Sequence, residues 1–164
     1  MKTATKLKKS ATHVTAPPNL PKAHSGAVTL LGLVFLAMAV GQLIGFNEFE
    51  VVLTVGGISS AATVATLLIL AELLAAVGFL NLRISHLLRV LSAVSAVAVS
   101  GFWFFYNLKL ISEGLAGLMP NIGFFGEFLA QSPGWWTTIE TTVLVFWVLY
   151  SLNLMRSSLS LEEA

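Results

Sequence analysis

Four stretches of the chain, about residues 27–44, 60–80, 87–106 and 135–154, stay apolar over the roughly twenty residues that a helix needs to cross about 30 Å of hydrocarbon. A backbone N–H or C=O has no water to turn to there, so each stretch has to satisfy itself as a helix. Composition agrees, since 56% of the 164 residues are hydrophobic and 10% are charged. A domain in water carries about a quarter charged residues. The alternative for the first stretch is a cleaved signal peptide, because Ala37-Met38-Ala39 has the small-x-small form of a cleavage site. The long basic leader and the apolar residues beyond Ala39 favour a span. The chain has no cysteine, which removes disulfides, thiol redox chemistry and thiolate metal ligation.

Charge orients the spans. Lys2, Lys6, Lys8, Lys9 and Lys22 precede the first, Arg83 and Arg89 flank the turn between the second and third, and Arg156 follows the fourth. With both termini inside, Lys109 alone of the nine Lys and Arg residues falls outside, as the positive-inside rule requires. Glu48, Glu50, Glu113 and Glu127 then lie on the outer side. The expected fold is therefore all-α: an integral membrane antiparallel four-helix bundle in the inner (plasma) membrane, both termini cytoplasmic, with an apolar outer loop between helices 3 and 4. Residues 1–25 form a basic, proline-containing tail, 26–154 the transmembrane domain and 155–164 a short second tail. The first tail reads as disordered in isolation. Lys6, Lys8, Lys9, Arg83 and Arg89 are expected at anionic lipid headgroups. The lysine patch is too small for a nucleic-acid surface.

Helices in lipid associate through small residues that permit close approach. Ala37, Gly41 and Gly45 form one such ladder, Ser92, Ala96 and Ser100 a second, with Ala71, Ala75 and Gly78 on the intervening helix. Polar residues within spans carry more information. Glu72, near the middle of the second span, would cost about 2.5–3.5 kcal/mol as a charge at that depth. It should face the bundle interior, hydrogen-bonded or protonated. Gln42 is its expected partner. Glu140, with Thr137, Thr138, Thr141 and Thr142 around it, approaches from the outer side. Together Glu72, Gln42 and Glu140 read either as a ligand-binding pocket or as a polar clamp on helix register.

The outer segment 107–134 is apolar for a loop. Leu108, Leu110, Ile111, Leu115 and Leu118 suit an amphipathic interfacial helix, which Pro120 ends before Asn121-Ile-Gly-Phe-Phe-Gly-Glu-Phe-Leu129. Phe124, Phe125, Glu127 and Phe128 are the expected partner-docking residues: rings that water does not suit must enter the headgroups, cover the bundle's mouth or meet another protein.

Three of these features resemble the MauE/DoxX-like membrane proteins. They are the opening helix GLVFLAMAVGQLIGFNEFEVVL, the stretch AELLAAVGFLNLR with its glutamate, glycine and basic turn, and NIGFFGEF before the last span. The last is similar to the Asn-Cys-Gly-Cys-Phe-Gly element of the MauE branch. The resemblance covers nearly all of residues 27–154 and implies a four-helix protein associated with redox or maturation systems. On that match Ile122 and Phe124 stand at the two cysteine positions and Gln42 at the usual lysine position. Neither Ile nor Phe carries electrons, so any electron carrier belongs to a partner.

The expected function is a non-catalytic accessory subunit or scaffold of a membrane complex, touching the bilayer and other membrane or periplasmic subunits, or further copies of itself. The alternative is a pocket at Glu72 for a quinone, which the resemblance suggests, or a lipid; a small transporter is the weaker third reading. No histidine lies within a span to hold haem, and no nucleophile–base or metal constellation appears.

Overall fold

The computed structural model describes residues 14–15, 20–80, 82–119, 121–126 and 129–162. These residues form five helices and one short strand pair: β1 (Val14–Thr15), α1 (Lys22–Ile44), α2 (Phe46–Val55), α3 (Ala61–Phe79), β2 (Ile84–Ser85), α4 (His86–Ser112) and α5 (Trp135–Glu162). Four of them, α1, α3, α4 and α5, are long and apolar enough to cross a membrane.

Each spanning helix is apolar on two faces. On α1, Val28, Leu31, Phe35, Met38 and Gln42 recur at three- or four-residue spacing and are buried. The opposite side carries exposed Leu30, Leu33, Val40 and Leu43. Leu67 and Leu70 on α3, Val94 and Val97 on α4 and Phe146 on α5 are likewise exposed. Surfaces of this extent suit hydrocarbon rather than water.

Three of the four helices, α1, α4 and α5, run past the apolar stretches that predict them, because lipid thickness limits the apolar part of a helix and not its length. α1 begins at Lys22 and α5 continues to Glu162, beyond the expected end at 154. α4 continues to Ser112, so Leu108, Leu110 and Ile111 belong to a spanning helix and not to a separate interfacial one. Its added turns are held by side chains. The Tyr106 hydroxyl donates to the Val52 carbonyl at 3.1 Å, Lys109 Nζ donates to the Gly56 carbonyl at 2.7 Å, and Leu110 is fully buried. These contacts also fasten α2, a short helix that buries Phe49 and Leu53, against the end of α4. The chain leaves α4 through Gly114 and Gly117, both at φ +75°.

Close approach follows the small residues, with one correction. A Cβ on Gly78 would collide with Ser92, whose hydroxyl donates to the Ala75 carbonyl at 3.0 Å, so α3 and α4 meet as the ladder predicts. On α1 the glycine nearest α3 is Gly32, 3.2 Å from the Ala76 carbonyl when given a Cβ. Ala37 is exposed, and Gly41 receives a loop instead of a helix. The N-terminal segment is anchored too: Val14 pairs with Ser85 and Thr15 with Ile84, antiparallel, beside the start of α4.

Candidate functional site

Glu72 lies midway along α3 and is fully buried, as is Gln42 on α1. Glu72 Oε1 accepts from Gln42 Nε2 at 3.0 Å and from Trp103 Nε1, on α4, at 3.0 Å. An amide nitrogen has two hydrogens to give, and Gln42 Nε2 also donates to the Phe124 carbonyl at 3.1 Å. One carboxylate oxygen thus joins α1, α3 and α4, and the glutamine ties the loop between α4 and α5 to all three. Glu72 Oε2 and Gln42 Oε1 are buried with no partner.

The loop reaches Gln42 because two glycines let backbone meet backbone. Gly126 has φ +65°, a conformation costly for any side chain, and a Cβ there would strike the Gly41 carbonyl. A Cβ on Gly41 would strike the Phe125 carbonyl in turn. Asn121 shapes the turn: its Oδ1 accepts from the Gly123 amide at 2.9 Å and its Nδ2 donates to the Gly126 carbonyl at 2.8 Å. The Ile122 amide donates to the Gln131 carbonyl at 2.8 Å. Asn121 Oδ1 also accepts from the Gln131 amide at 3.4 Å, so Asn121→Ala removes three side-chain bonds, and it is expected to cost about 1–2 kcal/mol. Limited proteolysis between residues 121 and 131 checks it; wild-type protection in the variant would mean that ring burial alone seats the loop.

Rings close the site. Trp103 stacks on Phe49 at 6.0 Å and meets Phe124 edge-on at 5.4 Å, and Phe124 meets Phe125 edge-on at 4.7 Å. Phe124 is 3% exposed and Ile122 fully buried, so Phe124, expected on a docking face, is instead a wall of the polar cluster. Phe125 is half-buried. Glu127 and Phe128 lie outside the described residues, as do Lys6, Lys8 and Lys9. The void between this loop and the α1–α2 turn, beside Gly45 and Phe49, measures about 10 Å³, room for one water at most.

Glu140 does not join the cluster: among the described residues no hydrogen bond links it to Glu72 or Gln42, and its Oε2 is buried without a partner. The threonines near it are spent locally. Thr137 Oγ1 donates to the Ser132 carbonyl at 2.7 Å, and Thr141 Oγ1 to the Thr137 carbonyl at 2.8 Å. Thr138 Oγ1 accepts from Asn107 Nδ2 at 2.7 Å, tying α4 to α5. Of the arginines, Arg83 is exposed on the α3–α4 turn and Arg89 is buried in the first turns of α4. Trp103 is the site residue that sequence reasoning missed. Its signal was a tryptophan in mid-span, where an indole N–H has to find an acceptor within the protein.

Among the described residues, no three or more His, Asp or Glu side chains gather to hold a metal ion. No protein-family model, curated protein or solved structure matches the chain.

Proposed function

We propose that the protein is a non-catalytic integral membrane subunit, an antiparallel four-helix bundle of the inner (plasma) membrane with both termini cytoplasmic, whose outer cap, the end of α4 from residue 107 and the loop that follows it to 134, is the face a partner subunit meets. One observation carries this reading. The amide of Gln42, the deep polar group best placed to bind something, is spent on Glu72 and on the cap's own backbone at Phe124. A loop held this way from inside the bundle keeps one shape in the absence of a partner and loses little freedom on binding one. The cap and its flanks also present exposed apolar side chains: Leu118 at 75% and Leu129 at 53%, beside half-buried Phe125. The distribution of lysines and arginines supports the orientation. On the resemblance to MauE/DoxX-like proteins the complex is a redox one, and the electron carrier is the partner's.

Native mass spectrometry of the protein, gently solubilised from its own membrane, tests the reading. The expected spectrum contains a stoichiometric protein partner that is lost on Leu118→Ser with Phe125→Ser. A monomer or homo-oligomer alone would sink it. A second reading, a small apolar ligand with a hydroxyl to donate, such as a quinol, rests on the two buried acceptors Glu72 Oε2 and Gln42 Oε1. It predicts a retained small molecule in that spectrum, absent from Glu72→Gln.

A further inference from the structure

The end of the bundle away from the cap holds a second site of different chemistry. There α3 and α4 are drawn together at Gly78 and Ser92, and Leu152, Met155 and Arg156 of α5 complete a cleft of about 270 Å³, near the small end of the range for ligand pockets. Its walls are hydrocarbon, chiefly Phe79, Ala93 and Leu152, and its ionisable side chains are basic: His86, Arg89 and Arg156. Ser92 also lines it, with its hydroxyl already donated to the Ala75 carbonyl. Among the described residues no carboxylate lines it. Arg89 lines the cleft and is 9% exposed, while His86 and Arg156 are exposed.

We propose that this cleft holds one anionic phospholipid, its phosphate on Arg89, Arg156 and His86 and one acyl chain along Phe79, Ala93 and Leu152. The two halves of the site call for the two halves of such a molecule. A guanidinium presents a planar fork of donors that matches two phosphate oxygens at once. The positive end of α4, which starts at His86, adds to the attraction. A free inorganic anion would satisfy the basic rim but leave the apolar volume empty. A neutral or zwitterionic lipid would fill the volume and bring no net charge to the rim. The position suits the occupant too, because the basic side chains lie at the termini of spanning helices, level with the headgroups. The site is separate from the cap, so it stands or falls independently of a protein partner.

The experiment is native mass spectrometry of the purified full-length protein in a non-ionic detergent, titrated with phosphatidylglycerol or phosphatidylcholine of identical acyl chains. One phosphatidylglycerol is expected per chain, held about tenfold more tightly than phosphatidylcholine, the effect of one strong charge-assisted contact. Arg156→Gln, an exposed substitution that leaves the core untouched, should shrink that preference to about threefold or less. Ala93→Phe fills the cleft without altering its charge and should abolish retention of both lipids. Inorganic phosphate at millimolar concentration should displace neither. Equal retention of the two lipids, an unchanged preference in Arg156→Gln, or full competition by phosphate would each overturn the proposal. Ala93→Phe is read only if its thermal unfolding matches wild type, and retention in such a folded variant overturns the proposal as well.

Discussion

Gly126→Val is expected to lift the cap off the bundle and cost the protein about 3 kcal/mol or more. Two effects add. A β-branched residue at φ +65° is worth about 1–3 kcal/mol of backbone strain. The new Cβ would also stand against the Gly41 carbonyl and 2.9 Å from the Gln42 amide nitrogen. Those atoms are helix backbone and cannot move aside as a side-chain tip can. Relief requires the loop to retreat, and retreat breaks the bond from Gln42 to the Phe124 carbonyl. Gly41→Val presses the same contact from the other side, so the double variant should cost far less than the sum of the singles. Gly101, in the middle of α4 with nothing within 4 Å of a Cβ, is the control: Gly101→Ala should be neutral or stabilising by up to about 1 kcal/mol. Thermal unfolding in detergent, together with protease sensitivity of the cap, reads all four variants. Wild-type behaviour of Gly126→Val would mean that the cap does not rest on α1.

Glu72→Leu is expected to destabilise the bundle by about 2 kcal/mol, and Glu72→Gln by less than about 1 kcal/mol. The leucine removes the acceptor for two interhelical hydrogen bonds and leaves the Trp103 indole N–H with nothing to donate to, each such loss in a membrane protein being worth roughly 0.6–1.7 kcal/mol. The glutamine keeps one carbonyl oxygen where Glu72 Oε1 stands and retains both bonds. The ordering of the two variants under thermal unfolding is the test. Equal losses would make the second oxygen, Oε2, the important one and would move attention to the small-ligand reading.

Much of this arrangement was legible in the sequence, and the misses have physical causes. The spans were readable because hydrocarbon accepts little else, and the pairing of Gln42 with Glu72 because two polar groups deep in apolar runs have few partners to choose from. Trp103 was hidden by the double life of tryptophan, which anchors membrane interfaces as readily as it fills interiors. Phe124 was misplaced because the need of a loop phenylalanine for cover does not say which cover it finds. That depends on Gly41 and Gly126 meeting, and a contact so remote along the chain has no local pattern. α2 escaped notice because its ten residues are too few to bury a clear stripe.

The bonds around Glu72 also imply an order of assembly. Gln42 and Glu72 are 30 residues apart, Glu72 and Trp103 are 31, but Gln42 and the Phe124 carbonyl are 82. A chain made from its N-terminus has α1 and α3 in place before α4 exists. Gln42 can then shelter the carboxyl of Glu72 during insertion, when an unaccompanied acid is hardest to pass into lipid. Trp103 arrives next, and the cap closes only after α4 is complete. The glutamine is thus an escort for the acid early in biogenesis and a latch for the loop at its end.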